Sequence, residues 1–168
     1  MGLTAYQILT VIQRSDRCYQ TVRGYVAERH LEVHLEGLKR AGVLLHARRI
    51  DTDGRPDFEV QVPGGELRTL ECKNVMSGTI FASGEMKVDF QRTRNQLEGK
   101  AGRFYRVEDF DILAACTHNV TKKWEFRFIR TVDLPRDSRG GPSALHKSVR
   151  VPRVARAPWQ DNILYVLR

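Results

Sequence analysis

Residues 56–73 read Pro-Asp-Phe-Glu-Val-Gln-Val-Pro-Gly-Gly-Glu-Leu-Arg-Thr-Leu-Glu-Cys-Lys, and they carry the strongest structural signal in the chain. In its first half the apolar residues Phe58, Val60 and Val62 alternate with polar ones, and a similar alternation returns in the second half. A period of two is typical of β-strands with one buried face. Because Pro and Gly favour turns, the Pro-Gly-Gly between the halves predicts a β-hairpin.

The register of this hairpin decides which side chains share a face. With an odd number of loop residues, for example three with Val62 opposite Glu66, Asp57 lies opposite Glu71 and Lys73 projects from the same face. An even-numbered loop separates them onto different faces. In the odd register the apolar side chains all lie on the other face, namely Phe58, Val60, Leu70 and Cys72.

Asp57, Glu71 and Lys73 together have the composition of a metal site that acts on phosphodiesters. Carboxylate oxygens bind Mg²⁺, which keeps several of its waters when it is bound. A lysine amine beside them can orient or help to deprotonate an attacking water, since burial readily lowers a lysine pKa. The plainer alternatives are an Asp that starts a turn after Pro56 and a pair of exposed charges on an ordinary strand.

The length and charge of the chain narrow the possible classes of protein. Its 168 residues, 41% of them hydrophobic, predict a single folded domain over 1–168. We expect a core over about 21–134, an N-terminal helix at 3–13 and a C-terminal extension over 135–168. The 28 Lys and Arg outnumber the 20 Asp and Glu and give a net charge of +8. This balance favours a polyanionic partner.

The apolar segments and the cysteines indicate the cellular compartment of the protein. No stretch approaches the roughly 18 consecutive apolar residues of a membrane span, and the N-terminus lacks the pattern of a secretory signal. Cys18, Cys72 and Cys116 are scattered and form no Cys-x-x-Cys pair. An odd, scattered set is typical of a reducing compartment and argues against structural zinc or a disulfide framework. We therefore expect a cytoplasmic protein without a membrane anchor.

Apolar periodicity along the rest of the chain predicts an α/β fold, with a central mixed β-sheet flanked by α-helices. The nearly continuous apolar run at 110–116 indicates a strand that is covered on both faces. We predict helices over 3–13, 21–41 and 87–98, strands over 43–50, 110–116, 124–130 and 162–167, and a flexible loop over 74–86.

This order of elements around the hairpin resembles the PD-(D/E)XK superfamily of nucleases. Its restriction-endonuclease-like fold is shared by many type II restriction enzymes and by archaeal Holliday junction resolvases. The resemblance covers about 23–134, with Pro56-Asp57 as the PD and Glu71-Cys72-Lys73 as the E-x-K. Residues 24–29 resemble the first-helix segment of the resolvases, whose Glu lies at the metal site and corresponds to Glu28.

The resemblance implies a Mg²⁺ site, in which Mn²⁺ can substitute. Asp57 and Glu71, with Glu28 and the backbone carbonyl of Cys72, would bind one or two ions, and Lys73 would position the attacking water. Gln91 falls where many members carry a polar helix residue after the Lys. The alternatives are an ion pair at the rim for Glu28 and an ordinary surface amide for Gln91.

The resemblance also implies DNA as the partner and, because two strands must be cut, a homodimer. The expected activity is that of a restriction-type or defence endonuclease. A Holliday junction resolvase and a catalytically inert DNA-binding module remain alternatives, and RNA remains open as a substrate. Basic residues near the site are candidates for phosphate contacts or else solvated charges, and these are Arg48, Arg49, Arg55, Lys87, Arg92 and Arg94.

Overall fold

The computed structural model of the chain describes residues 2–90 and 104–168. Its helices are α1 (Ala5–Arg14), α2 (Asp16–Arg40) and the short α3 (His118–Thr121). Its strands are β1 (His46–Arg49), β2 (Phe58–Gln61), β3 (Arg68–Ile80), β4 (Met86–Asp89), β5 (Ile112–Cys116), β6 (Phe126–Arg130) and β7 (Ser148–Val151). No helix in these two ranges is long and apolar enough to cross a membrane.

The seven strands form a mixed sheet around β3. The order β1-β2-β3-β4-β7 is joined by antiparallel pairs, while β5 pairs in parallel with β3 and carries β6 on its other edge. Residues 70–74 of β3 pair with β5, and the later part of the same strand pairs with β4. The predicted α/β fold with a central mixed sheet and flanking helices is therefore confirmed.

The hairpin of β2 and β3 has the odd register. Phe58 pairs with Leu70, Glu59 with Thr69 and Val60 with Arg68. One further step along this register places Asp57 opposite Glu71, as predicted for a three-residue loop. The apolar side chains of the hairpin are buried on the opposite side, which faces α2.

Two apolar clusters cover the two faces of β5. Residues Ile112, Ala114 and Cys116 belong to the cluster that contains the buried face of α2, whereas Leu113 and Ala115 belong to the other cluster. All five residues of the strand are buried, so the prediction of a strand covered on both faces is correct. Each large aliphatic side chain buried in this way contributes about 1.5–3 kcal/mol to folding.

The second helix is longer than predicted. It begins at Asp16 rather than at residue 21, because a single residue, Ser15, separates it from α1. The Ser15 side chain accepts a hydrogen bond from the Cys18 amide at 3.3 Å and so caps the new helix. The polar run at 14–17 therefore bends the chain and does not end the helical structure.

From residue 74 onward two predictions are wrong, and so is the start of a third. The expected loop over 74–86 is mostly strand, because β3 continues to Ile80 and β4 starts at Met86. Lys87 lies in β4 and not at the start of a helix, and the rest of the helix predicted to residue 98 lies outside the described residues. The expected terminal strand over 162–167 is a 3₁₀ turn at Ile163–Tyr165.

The C-terminal residues are part of the sheet. Strand β7 pairs with β4 from Met86–Val151 to Asp89–Ser148. Val149 and Val151 pack in the same apolar cluster as Val88. Residues 135–168 thus supply the strand that covers the edge of β4. The sequence did not predict this strand.

Candidate active site

The hairpin brings Asp57, just before β2, together with Glu71 and Lys73 on the central strand β3. The Asp57 backbone carbonyl accepts from the Ile50 amide at 2.8 Å, which ties it to the end of β1. Its carboxylate Oδ2 accepts from the Cys72 amide at 2.7 Å. Lys73 Nζ lies 2.6 Å from Glu71 Oε1. The Cys72 side chain is buried in the core, so of this residue only the backbone faces the cluster.

Tyr105 joins this cluster and was missed by the sequence analysis. Its hydroxyl donates a hydrogen bond to Glu71 Oε1 at 2.5 Å, and Lys73 Nζ lies 5.5 Å from the centre of its ring. The ring packs against Phe90 and Phe110, with centroid distances of 4.6 and 5.7 Å. Tyr105 lies 34 positions from Glu71 in the chain, so no local pattern in the sequence could connect the two.

The charge of Glu71 affects the ionisation of Asp57. The pKa of Asp57 is raised to about 7, first by burial and then by the negative charge of Glu71, while Lys73 and the Cys72 amide oppose the rise. A second negative charge in the same desolvated place disfavours the ionised form of Asp57.

Lys73 stays positively charged in this setting. Burial by itself lowers its pKa, but the nearby Glu71, Tyr105 and Asp57 outweigh that effect and raise it above its usual value. From its residue type alone, Lys73 could either orient a water or help to deprotonate it. The raised pKa favours a cation that orients groups and stabilises negative charge, because a base must be able to lose its proton.

Glu28 lies close to the cluster but is paired with another residue. Its carboxylate Oε2 is 2.6 Å from Arg49, and the guanidinium of Arg49 lies 5.7 Å from the centre of the Tyr25 ring. Burial raises the pKa of Glu28, and the charge of Glu71 adds to the rise while Arg49 and Lys73 oppose it. The structure thus contains the ion pair that was the alternative to a metal ligand, placed within electrostatic reach of the site.

The other predicted site residues have different surroundings. Arg48 is exposed and lies 2.8 Å from Glu59, while Arg49 is the partner of Glu28. Arg55 is exposed in the loop before Asp57, and Lys87 is half-buried in β4. Three of the predicted residues lie outside the described ranges, and these are Gln91, Arg92 and Arg94.

The oxygen donors at this site fit Mg²⁺ better than a transition metal. In residues 2–90 and 104–168, no group of three or more His, Cys, Asp or Glu side chains is arranged to hold a metal ion. Mg²⁺ needs no such cage, because it binds one or two carboxylates and fills its other positions with waters and substrate phosphates. Asp57 and Glu71 supply two carboxylates at paired positions, beside the backbone of Cys72.

Comparison with known proteins finds a solved structure with a similar fold. The chain is similar to the solved structure of a bacterial homing endonuclease, with a TM-score of 0.50 and 16% identity, over 82% of this chain and 80% of that one. At this identity the likeness shows a shared fold. No protein-family model and no curated protein matches the sequence.

Proposed function

We propose that the protein is a Mg²⁺-dependent DNA endonuclease of the PD-(D/E)XK type. The observation that carries the proposal is the register of the hairpin, which sets Asp57 opposite Glu71. Lys73 forms an ion pair with Glu71 at 2.6 Å. Two carboxylates and a lysine are the groups needed for metal-assisted hydrolysis of a phosphodiester. Support also comes from the fold shared with a homing endonuclease and from the net charge of +8, which suits a polyanionic substrate.

In this proposal the carboxylates of Asp57 and Glu71 and the backbone carbonyl of Cys72 would hold the metal. Mg²⁺ held there, or Mn²⁺ in its place, would supply a water of lowered pKa and would offset charge on the leaving oxygen. Lys73 remains a cation and stabilises the negative charge that develops on the phosphate. Tyr105 holds Glu71 from the side of the apolar cluster, so that the carboxylate keeps one orientation.

Glu28 has a supporting role in the same proposal. Its carboxylate forms an ion pair with the Arg49 guanidinium at 2.6 Å, beside the site. In this position Arg49 can contact a phosphate of the DNA. Cleavage of both strands at one place needs two active sites, so we include a homodimer in the proposal. Duplex DNA is the preferred substrate, and a four-way junction is the competing one.

The test is cleavage of plasmid DNA and of a four-way junction by the purified protein in Mg²⁺. We expect wild type to cut, Lys73→Ala to lose at least about 100-fold in rate, and Lys123→Ala, which removes an exposed lysine, to cut like wild type. Activity that survives Lys73→Ala, or that persists in a chelator, would overturn the proposal. Preferential cutting of the junction would assign the resolvase activity instead.

A further inference from the structure

A third carboxylate, that of Glu28 on α2, lies within electrostatic reach of the carboxylate cluster. Its negative charge acts on Asp57, and it is itself affected by the charges of Glu71 and Lys73. The Glu28 side chain is only 19% exposed, and burial disfavours a charged carboxylate unless a cation compensates it. In the structure the compensating cation is Arg49, whose Nη2 lies 2.6 Å from Glu28 Oε2.

The ion pair occupies one oxygen of the Glu28 carboxylate. Within residues 2–90 and 104–168, the other oxygen, Oε1, accepts no hydrogen bond. Carboxylate oxygens are the ligands that divalent cations such as Mg²⁺ take from proteins. A largely buried carboxylate with a free oxygen, close to two more carboxylates, is therefore suited to help bind such a cation once Arg49 leaves it.

Arg49 is placed to contact a phosphate as well as Glu28. It is the last residue of β1, and the amide of the next residue, Ile50, donates to the Asp57 carbonyl at 2.8 Å. The backbone of Arg49 is therefore fixed beside the site. Its side chain is 28% exposed, and its guanidinium lies 5.7 Å from the centre of the Tyr25 ring, on a residue that is 56% exposed. The guanidinium thus lies at the protein surface.

Glu28 and a phosphate compete for the charge of Arg49. A guanidinium uses the same fork of N–H donors for a carboxylate and for a phosphate. A cation that is balanced by a carboxylate at 2.6 Å attracts a phosphate less than a free cation does. By the same reasoning, the Glu28 carboxylate attracts a divalent cation less while it is paired. The ion pair therefore opposes the binding of both ligands.

We propose that the Glu28–Arg49 ion pair is a latch that couples metal binding to DNA binding. A DNA phosphate draws Arg49 away, and Glu28 is then free to join the other two carboxylates at the metal. This inference rests on the proposed nuclease function and adds a regulation of the same site. The pair has to be separated only once, so the ligand that binds first favours the binding of the second. Such coupling is reciprocal and typically changes each affinity by about 5–150-fold.

The neighbouring ion pair of Arg48 and Glu59 provides a matched control. Its nitrogen and oxygen are 2.8 Å apart, close to the distance in the latch. Arg48 is adjacent to Arg49 in β1, but successive side chains of a strand point to opposite faces. Removing one charge from the Arg48–Glu59 pair therefore shows the effect of charge alone.

Binding of Mn²⁺ in the absence of DNA, followed by the electron paramagnetic resonance signal of the free ion, tests one half of the latch. We expect Arg49→Gln to bind Mn²⁺ at least about fivefold more tightly than wild type, because Glu28 is released. Arg48→Gln should stay within about twofold of wild type, and the gain should disappear when Arg49→Gln is combined with Glu28→Gln. A gain that persists in this double variant would show the effect of lost positive charge alone and overturn the latch. An Arg49→Gln variant that shows no gain would overturn it as well.

Binding of a fluorescent DNA duplex in chelator, measured by anisotropy, tests the other half. We expect Glu28→Gln to bind the duplex at least about fivefold more tightly than wild type, because Arg49 is released. Arg49→Gln should bind more weakly, with a salt dependence that is lower by about one phosphate contact. Glu59→Gln removes the carboxylate of the control pair and should stay within about twofold of wild type. A Glu28→Gln variant that binds DNA no more tightly than Glu59→Gln would overturn the inference.

Failure of the latch can be distinguished from failure of the proposed function. Both decisive effects are gains in affinity, whereas a variant that fails to fold would lose its sites. Wild type that binds neither Mn²⁺ nor duplex DNA would overturn the proposed nuclease function and the latch with it. Wild type that binds both ligands, with variants that show neither gain, would overturn the latch and leave the proposed function intact.

Discussion

Asp57 carries a negative charge that the proposed function requires and that the fold disfavours. Its carboxyl is desolvated beside Glu71, and its pKa is raised to about 7. The folded chain therefore holds this proton more tightly than the unfolded chain does. By linkage, the stability of the metal-free protein is greatest below the usual pKa of an Asp and falls as the pH rises through about 7.

This linkage predicts that Asp57→Asn stabilises the metal-free protein at about pH 8 by roughly 1–3 kcal/mol. The Asn keeps an oxygen for the Cys72 amide, which donates at 2.7 Å, but it carries no charge. At about pH 4, where the Asp is protonated, the gain should vanish. Urea denaturation in chelator at the two pH values measures the difference, and a gain that is equal at both would show that the Asp57 charge is not its cause.

In the proposed reaction Tyr105 acts through Glu71, to which its hydroxyl donates a hydrogen bond. Burial raises the pKa of its hydroxyl, so it stays protonated and donates its hydrogen bond to Glu71 across the working range. A partner of this kind normally contributes about 10–100-fold to metal affinity or activity. Tyr105→Phe should therefore raise the Mg²⁺ concentration for half-maximal cleavage about tenfold and leave the rate at saturating Mg²⁺ within about threefold.

The control for this variant is Tyr165→Phe, which removes a hydroxyl from a tyrosine that is 62% exposed. A purely structural role for Tyr105 would lower the melting temperature without moving the Mg²⁺ dependence. A role as a general acid would change the pH profile of the rate at saturating Mg²⁺. Either result would show that Tyr105 does not position the Glu71 carboxylate for the metal.

Among the elements, the turn between β2 and β3 has the greatest influence on the site, because it sets the register. Gly64 has φ +73 in this turn, a conformation that L side chains rarely adopt, and Gly37 in α2 has no such constraint. Gly64→Ala should destabilise the protein by about 1 kcal/mol, whereas Gly37→Ala should stabilise it by about 0.5–1 kcal/mol. Chemical denaturation measures both, and equal effects of the two changes would contradict this assignment of the turn.

Local patterns explain which elements could be predicted. The hairpin was found because alternation at Phe58, Val60 and Val62, a Pro-Gly-Gly turn and a return strand all lie within eighteen residues. Strand β5 was found from its unbroken apolar run. Both rest on interactions that a short window of sequence contains.

Elements that depend on distant partners were missed. Residues 74–80 are rich in polar and small residues, and they form strand only because β4 pairs with them and Val75 is buried against Met86 and Val88. Strand β7 is likewise fixed by its pairing with β4. Tyr105 reaches Glu71 through the packing of its ring on Phe90 and Phe110. Tertiary contacts of this kind leave no periodic signal in the sequence.

At the scale of the whole molecule, α2 and the sheet together place charged groups at the site. The side of α2 that carries Glu28 lies within electrostatic reach of Glu71 and Lys73. The positive net charge of the chain, +8, favours encounter with a polyanion. If the partner is DNA, as proposed, its binding should weaken as the salt concentration increases.

The role of Asp57 in a metal-dependent nuclease is tested by cleavage of duplex DNA by wild type and by Asp57→Asn over one series of Mg²⁺ concentrations. Asp57→Asn should fold at least as stably as wild type, so a loss of activity would report on the site itself. We expect Mg²⁺-dependent cutting by wild type, none in chelator, and a rate at least about 100-fold lower for the variant. Equal cutting by the two proteins, or cutting by wild type that needs no divalent metal, would contradict the account.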